Sequence, residues 1–255
     1  MGGSDAAPPV TISCTLSSMT ISVVVPAYNE EGYLCDCLRL LTQYRTPDVC
    51  EIIVVDNAST DTTAQVASSF SGVRVVHESR KGLTQARQTG LQSAHGDLVA
   101  YVDADTHIPA HWFCSISREF ALHPNMVCLS GPYTFYDLPL PQRMASYVFW
   151  RALALPVYHC VGYMVVGGNF AAKRSALESI GGFDSSIAFY GEDTDIARRL
   201  SACGTVVFRP AFCVQSSGRR FSSHGIVRIG GTYMLNYLSE VFLHRPFTRH
   251  YEDIR

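Results

Sequence analysis

The feature that most constrains this chain is the alternation of two sequence periodicities in its N-terminal part. Short runs rich in β-branched residues fall at residues 21–25, 51–55, 73–76 and 98–102. Segments with apolar side chains at helical spacing lie between them, at residues 30–44, 60–70 and 83–94. Short, continuously apolar runs are typical of strands that are buried on both faces. The alternation therefore predicts an α/β fold with a mainly parallel central sheet and helices on both faces.

Polar side chains follow three of these predicted strands. In chain order they are Tyr28, Glu30, Asp56, Asp103 and Asp105, and Pro26 directly follows the first strand. Ligands of parallel sheets bind outside the carboxyl ends of the strands, and parallel strands share one such edge. We therefore expect these side chains to lie together at a ligand site.

The second half of the chain predicts further elements of the same sheet. Residues 109–122 read as a helix, residues 126–136 as a strand and residues 142–155 as an amphipathic helix. Residues 152–172 contain no Asp, Glu, Lys or Arg, but Pro156 and several glycines interrupt them, which favours burial or shallow membrane contact over a span. A chain of 255 residues without a long linker predicts one domain.

Charge and cysteine content limit the partners and the compartment. With 20 basic and 22 acidic side chains, the formal net charge is -2, so no overall field attracts nucleic acid. The nine cysteines form no CxxC pair, which favours a reducing compartment. Residues 1–19 lack the basic and apolar regions of a signal peptide and read as a flexible leader. We expect a cytoplasmic protein, free or attached peripherally to the inner face of the cytoplasmic membrane.

Five segments together resemble one known family. They are "ISVVVPAYNEEGYL", "EIIVVDNASTDTT", "KGLTQARQTGLQSAHGDLVAYVDADT", "GGNFAAKRSALESIGGFD" and "FYGEDTDIARRL", which span residues 21–200 in order. They resemble the successive motifs of family 2 inverting glycosyltransferases with the GT-A fold. The resemblance implies sugar transfer from a nucleotide-diphosphate donor to an acceptor with inversion. It divides a domain at residues 20–230 into a nucleotide-sugar half, residues 20–106, and an acceptor half, residues 107–230; we call these the donor half and the acceptor half.

Asp103 and Asp105 form the D-x-D pattern of that family, which implies a divalent cation, Mn²⁺ or Mg²⁺. Carboxylate oxygens are suitable ligands for such a cation, which would neutralise the charge of a leaving diphosphate. In the family the second aspartate usually binds the metal most directly, and the first contacts ribose or the metal through water. His107 could ligate the same ion or cap the turn. A solvated acidic turn is the alternative for the pair.

The resemblance also assigns residues to the donor. Asp56 would bind the base of the nucleotide, or cap the following helix, and Pro26, Tyr28 and Glu30 would line the base and ribose pocket. Further donor-binding candidates are Lys81, Arg87, Gly168, Glu192, Arg219 and Arg220. Alternative roles remain open for three of these positions: Arg87 as a surface arginine, Gly168 as a packing glycine, and the Arg219-Arg220 pair as a solvated basic loop.

Asp193 is the predicted general base, because it matches the aspartate of the family's E-D motif. The base must stay ionised and reach the acceptor hydroxyl. Asp193 opens a predicted helix, whose N-terminal dipole favours an anionic side chain. Asp195, two residues on, should point to a different face of that helix. An acidic helix start without catalytic function is the alternative.

The C-terminal residues 231–255 are predicted to contain a helix, at residues 232–243, that packs on the domain, on a second subunit as a homodimer, or on a membrane. The expected partners are a nucleotide-diphospho-sugar donor and a carbohydrate or lipid-linked acceptor, without nucleic acid. Two other functions stay open at this point, a nucleotidyltransferase and a non-catalytic nucleotide-sugar binding protein. Product formation would distinguish an enzyme from the latter.

Overall fold

The structure is a computed structural model of the chain. It describes residues 19–187, 191–220, 231–232, 235–237, 239–241 and 247–248. The leader predicted at residues 1–19 therefore lies outside the described residues except for Met19, and so does much of the predicted C-terminal helix and tail.

The described residues form nine strands and eight α-helices. The strands are β1 (Ile21–Ala27), β2 (Val49–Asp56), β3 (Val73–His77), β4 (Leu98–Val102), β5 (Met126–Ser130), β6 (Tyr133–Phe135), β7 (Asn169–Lys173), β8 (Thr205–Phe208) and β9 (Val214–Ser216). The helices are α1 (Leu34–Gln43), α2 (Thr63–Ser68), α3 (Leu83–Ser93), α4 (Trp112–Leu122), α5 (Leu140–Phe149), α6 (Leu155–Val161), α7 (Arg174–Ser179) and α8 (Glu192–Ser201). The four strands and three helices predicted in the donor half are all present, with ends shifted by a few residues.

The main sheet has seven strands in the order β3-β2-β1-β4-β7-β5-β8. All of its pairs are parallel except those of β7, which runs antiparallel to both β4 and β5. A second, two-stranded sheet pairs β6 with β9. The acceptor half therefore extends the parallel sheet of the donor half through one reversed strand, as the sequence predicts.

Two hydrophobic cores cover the two faces of the sheet. Ile21, Val23 and Val25 of β1 point into one core, which α1 and α4 complete, and Val24 points into the other, which α3 and α8 complete. Successive side chains of a strand point to opposite faces, so the fully buried β1 requires cover on both sides. Gly90 of α3 lies directly against Val24, where a Cβ atom would collide with the valine side chain. The helix can approach the sheet this closely because of that glycine.

The sequence predicts one continuous strand at residues 126–136, and this is wrong, because the structure divides the segment between two sheets. Gly131 and Pro132 separate β5 from β6. Pro132 has no backbone N–H to donate to a ladder. A Cβ atom on Gly131 would lie 2.8 Å from the carbonyl oxygen of Arg209, so the backbone is too close here for any residue other than glycine. The break turns β6 away from the main sheet and towards β9.

The predicted amphipathic helix at residues 142–155 is part of a longer helix that runs from Leu140 to Val161. Residues Trp150–Ala154 form a π-helical turn between α5 and α6. Pro156 explains this turn, because its ring has no N–H and would clash with the carbonyl four residues earlier in a regular α-helix. We name the whole segment, residues 140–161, the bulged helix. Within the described part of the chain, no helix is both long and apolar enough to cross a membrane.

Candidate active site

A cavity of about 470 Å³ lies between the two halves of the chain. It opens at the carboxyl ends of β1 and β4 and at the N-terminus of α8. Ten of the residues predicted from the sequence line it: Pro26, Glu30, Arg87, Asp103, Asp105, Gly168, Glu192, Asp193, Arg219 and Arg220. The remaining four, Tyr28, Asp56, Lys81 and His107, lie outside its lining.

On the donor side of the cavity, Asp105 and Glu30 both form ion pairs with the guanidinium group of Arg219. The Nη2 atom of Arg219 lies 2.5 Å from Glu30 Oε1 and 3.2 Å from Asp105 Oδ2. Burial raises the pKa of Asp105 to about 6, while Arg219 acts in the opposite direction and Asp103 and Glu30 add to the increase. These carboxylates therefore repel one another, and Arg219 supplies the positive charge that holds them together.

Arg219 is held in place by Asp137, which follows β6. Asp137 accepts hydrogen bonds from the Ser217 hydroxyl and from the Gly218 backbone N–H, both at 2.6 Å. The side chain of Leu138 lies where a Cβ atom on Gly218 would stand. Asp137 therefore fixes the segment that carries Arg219 and Arg220, and no sequence motif indicated this role.

Arg87 is fully buried and joins two carboxylates that are far apart in the sequence. Its Nη1 atom lies 2.8 Å from Glu192 Oε1, and its Nη2 atom lies 3.2 Å from Asp103 Oδ1. Burial alone would lower the pKa of Arg87, but Asp103 and Glu192 raise it above its usual value. The structure therefore does not support the surface-arginine alternative. Arg87 connects the end of β4 to the start of α8.

Gly167 and Gly168 make room for this ion-pair network. A Cβ atom on Gly167 would lie 2.7 Å from both Nη1 and Nη2 of Arg87. A Cβ atom on Gly168 would collide with the Asp103 carboxylate. The glycines thus allow the backbone before β7 to lie directly against two charged side chains.

Asp193 lies at the N-terminus of α8, on the cavity wall. Its Oδ1 atom accepts a hydrogen bond from the Thr194 backbone N–H at 2.8 Å, and the Gly167 backbone also hydrogen-bonds to the carboxylate. Burial raises the pKa of Asp193, and Arg87 limits the increase. Burial and the neighbouring Asp193 likewise raise the pKa of Glu192. A base with a raised pKa holds a proton more strongly than an exposed aspartate does, which suits proton abstraction.

Asp195 differs from Asp193 in its partners, as the sequence predicts. Its Oδ1 atom lies 2.9 Å from Arg198, and its Oδ2 atom lies 2.6 Å from Arg199. Both arginines belong to α8 itself. Asp195 is therefore engaged in a buried ion-pair network within one helix, whereas Asp193 faces the cavity.

Asp56 ends β2 and Tyr28 directly follows β1, at the same sheet edge as the cavity but outside its lining. Asp56 pairs with His77 Nδ1 at 3.0 Å, and the Ser59 backbone N–H points to it at 3.3 Å. The Lys81 ammonium group lies 3.9 Å from the centre of the Tyr28 ring. Sequence reasoning missed His77, although it ends β3 as Asp56 ends β2. The same rule of polar residues at strand ends would have identified it.

His107 is not part of a preformed metal site. Its ring stacks on Tyr136 with centroids 4.3 Å apart, and its backbone pairs with Gln215. Among the residues that the structure describes, no group of three or more His, Cys, Asp or Glu side chains is arranged to hold a metal ion.

The acceptor half contributes an apolar wall that the sequence motifs did not indicate. Its side chains are Tyr133, Phe135, Phe149, Trp150, Met164 and Val166, and Tyr237 of the C-terminal residues 231–255 joins them in the cavity lining. The Trp150 indole N–H donates to the Tyr133 carbonyl at 2.9 Å, which fixes the bulged helix to β6. The buried Tyr237 hydroxyl finds no hydrogen-bond partner within the described residues. One end of the cavity is therefore charged and the other is largely apolar.

Comparison with known proteins agrees with this arrangement. The family described as "Glycosyl transferase family 2" matches residues 22–181, and "N-terminal domain of galactosyltransferase" matches residues 150–224. Glycosyltransferase GlyG of Streptococcus pneumoniae is 38% identical over 125 residues, which is 47% of this chain and 41% of that protein. The matched segments span less than half of the length of the curated relatives.

Solved structures show the same fold. A mannosyltransferase from Pyrobaculum calidifontis, in complex with GDP-Man and Mn²⁺, superposes with a TM-score of 0.68 at 21% identity, over 94% of this chain and 66% of that one. Glucosyl-3-phosphoglycerate synthase from Mycobacterium tuberculosis, in complex with Mn²⁺, UDP-Glc and phosphoglyceric acid, gives a TM-score of 0.64 at 22% identity, over 89% and 79%. The central sheet therefore has the GT-A architecture, and the chain belongs to glycosyl transferase family 2.

Proposed function

We propose that this protein transfers a sugar from a nucleoside-diphosphate donor to an acceptor hydroxyl, with inversion at the anomeric carbon. The observation that carries the proposal is the meeting of Asp103, Asp105 and Asp193 on one cavity. These residues come from opposite halves of the chain, and they supply the two functions that such a transfer requires. One function is charge compensation for the leaving diphosphate, and the other is proton abstraction from the acceptor.

Asp103 and Asp105 are suited to hold a divalent cation, Mn²⁺ or Mg²⁺, as the D-x-D pattern predicts. The donor set consists of carboxylate oxygens, which these hard cations prefer, and a guanidinium group already lies against Asp105 and Glu30. The bound cation would supply electrostatic stabilisation of the departing diphosphate. Diphosphate oxygens would complete its ligands.

Arg219 and Arg220 provide the protein's own positive charge at this end of the cavity. Both line the cavity, and guanidinium groups bind phosphate oxygens with two parallel hydrogen bonds. We infer that Arg219 transfers from Glu30 and Asp105 to the diphosphate when the donor binds. The base of the nucleotide would then lie along the sheet edge towards Asp56, Tyr28 and Lys81.

The reaction is a single displacement. The Asp193 carboxylate takes the proton of the acceptor hydroxyl, and the acceptor oxygen forms a bond to the anomeric carbon. The bond from that carbon to the diphosphate oxygen breaks, and its electron pair leaves with the nucleoside diphosphate. Attack from the face opposite the leaving group inverts the configuration. Arg87 holds Asp103 and Glu192 in place through its two ion pairs, and so acts as a positioning residue.

The cavity lining and the cysteines carry the proposals for the acceptor and the compartment. A carbohydrate or lipid-linked hydroxyl compound is the proposed acceptor, because the wall beside Asp193 combines polar and apolar side chains. The eight cysteines among the described residues are all free thiols, which supports a cytoplasmic, reducing environment.

The first test is thermal stabilisation of the purified protein by UDP, GDP, dTDP and CMP, each with and without Mn²⁺ or Mg²⁺. One nucleotide should raise the melting temperature only with the metal, and Asp105→Asn should abolish that shift. Asp36→Asn, which changes an exposed aspartate of α1 outside the cavity, is the matched control and should retain it. A shift that Asp105→Asn leaves intact would exclude Asp105 as a metal ligand.

A second measurement tests the stereochemistry. Once the donor is identified, the anomeric configuration of the product can be determined by nuclear magnetic resonance. Inversion relative to the donor sugar is expected, and retention would overturn the single displacement.

A further inference from the structure

The bulged helix carries apolar side chains on two opposite faces. Ser146, Trp150 and Ala154 turn inward and line the cavity. Leu140, Met144, Tyr147 and Val148 turn outward and are all exposed, with Leu140 and Val148 at 68% and 56% of their full accessible surface. A surface helix of a globular protein normally carries apolar residues on one face only.

The exposed side chains form a continuous outer stripe. Leu140, Met144, Tyr147 and Val148 recur at spacings of four, three and one residues, and Arg151 follows at the next turn of the same face. The stripe is about 12 Å long at the helical rise of about 1.5 Å per residue. The Arg151 guanidinium lies 4.9 Å from the centre of the Tyr147 ring, so a cation covers one end of it. Contiguous exposed apolar surface of this kind marks an interaction site.

The charge around the stripe identifies the kind of partner. The bulged helix contains no Asp or Glu, whereas it contains Arg143 and Arg151. The protein as a whole has a formal net charge of -2, so this segment is locally positive in a slightly acidic molecule. Apolar side chains flanked by arginines are typical of helices that lie on anionic lipid surfaces.

A second copy of the chain fits the outer stripe less well. In a two-fold symmetric contact the same patch meets itself. Arg143 and Arg151 of each copy would then face each other without any acidic side chain of the bulged helix to pair with them. Phospholipid head groups supply the missing negative charge.

We propose that the outer stripe of the bulged helix binds an anionic lipid bilayer. The helix lies in the plane of the head groups, with Leu140, Met144, Tyr147 and Val148 in the apolar boundary and Arg143 and Arg151 at phosphate level. Its inner face continues as the apolar wall of the cavity. The consequence for catalysis rests on the proposed function: binding would hold the acceptor end of the cavity next to the membrane.

The test uses the full chain and vesicles of two compositions, phosphatidylcholine alone and phosphatidylcholine with phosphatidylglycerol. In flotation assays the protein should bind the anionic vesicles, and high salt should weaken the binding. Met144→Ser combined with Val148→Ser should reduce it by about tenfold or more, because two apolar side chains are removed from the interface. Arg143→Gln combined with Arg151→Gln should reduce it by about 25-fold, since each basic side chain contributes about fivefold.

Matched controls come from α4, on a different part of the surface. Leu122 is 64% exposed and Arg118 is also exposed, and neither lines the cavity. Leu122→Ser and Arg118→Gln should bind vesicles as the unmodified protein does. Stabilisation by nucleotide and metal should be the same in all of these variants, since none of the substituted residues lines the cavity.

Three results would overturn the proposal. The unmodified protein could fail to bind anionic vesicles, or the Met144/Val148 variant could bind them equally well. Light scattering could also show a dimer that the same variant converts to a monomer, which would make the stripe an interface between copies. Vesicle binding without metal-dependent nucleotide stabilisation would instead contradict the proposed function and leave the membrane surface intact.

Discussion

The carboxylates on the outer side of the donor half and those around the cavity have pKa values shifted in opposite directions. Glu51 is partly buried, which raises its pKa, but hydrogen bonds from Ser22, Arg74 and His95 outweigh this and lower it to about 2. Hydrogen bonds from Arg80 and Thr89 lower the pKa of Glu78 to about 2. In the cavity, burial raises the pKa of Asp105 and Asp193.

The opposite pKa shifts separate two groups of carboxylates. Ionisation of the outer carboxylates stabilises the fold, whereas burial makes the cavity carboxylates more inclined to take up protons. The outer carboxylates are ionised more easily in the folded chain than in the unfolded one, so their ionisation favours folding. The cavity carboxylates are desolvated and lie near one another, so their ionisation opposes folding. Groups of the second kind are expected at functional sites. The following substitutions test that division, in order of decreasing expected effect.

Asp193→Asn should have the largest effect, and it should be on turnover alone. Removal of a general base typically costs about 10²–10⁴-fold in rate. Because burial raises the pKa of Asp193, removal of its charge should not reduce the free energy of unfolding. Product formation and thermal melting of the same preparation measure the two quantities.

The matched control is Asp195→Asn, two residues along the same helix. It breaks the ion pairs to Arg198 and Arg199, so it should lower stability while the folded enzyme keeps its turnover. If Asp193→Asn turned over normally, Asp193 would not be the base. The raised pKa of the cavity carboxylates would then have no demonstrated link to catalysis.

Arg87→Met should strongly reduce the free energy of unfolding, by about 3–5 kcal/mol, because it leaves the buried Glu192 without its cation and removes the ion pair to the partly exposed Asp103. Arg87→Lys should cost less, since it retains the charge but not the two-pronged contact. Urea denaturation measures both. Arg39→Met, which removes an exposed ion pair to Asp36, should change stability by less than about 1 kcal/mol. Equal losses at Arg87 and Arg39 would show that the cavity carboxylates need no buried cation.

Gly167→Ala tests the position of the Arg87 guanidinium without changing any charge. The added methyl group would lie 2.7 Å from both terminal nitrogens of Arg87, so the guanidinium must move. Overpacking of this kind costs about 1–3 kcal/mol. Gly32→Ala is the control, because nothing lies within 4 Å of its added Cβ atom, and denaturant titration should show almost no change. A tolerated Gly167→Ala would mean that Arg87 has room to shift.

Glu51→Gln should show the smallest effect, with a characteristic pH dependence. A lowered pKa in the folded state contributes stability that is complete above the unfolded value of 4.5 and is lost as the pH falls towards about 2. At neutral pH the variant should be about 1–2 kcal/mol less stable, which allows for the partial exposure of the carboxylate. The difference should disappear in acid. A pH-independent difference would assign the loss to packing rather than to the charge.

Sequence alone predicts the donor half well because its signals are local. Each strand of that half is a short apolar run, and each helix repeats its apolar positions over consecutive turns. The break at Gly131-Pro132 was missed, since either residue also occurs at a strand end or bulge. The length of the bulged helix was underestimated because Pro156 normally ends a helical pattern, and only packing shows that a π turn accommodates it.

Contacts between distant residues were the part that the sequence could not supply. Arg87 was predicted to meet the donor, but its pairing with Glu192 joins residues 105 positions apart. Asp137 and Tyr133 gave no motif signal, and they take part in the site because the fold brings them to Gly218 and Trp150. Their roles depend on tertiary geometry.

The sequence by itself determined the α/β class, the polar strand ends and the family, because periodicity and motif order are properties of the chain. The tertiary structure decided which carboxylates share an arginine as their ion-pair partner. Arg219 binds Glu30 and Asp105, and Arg87 binds Asp103 and Glu192. The physical reason is that a pKa and an ion pair depend on burial and on distances of a few ångströms, and only the folded chain sets both.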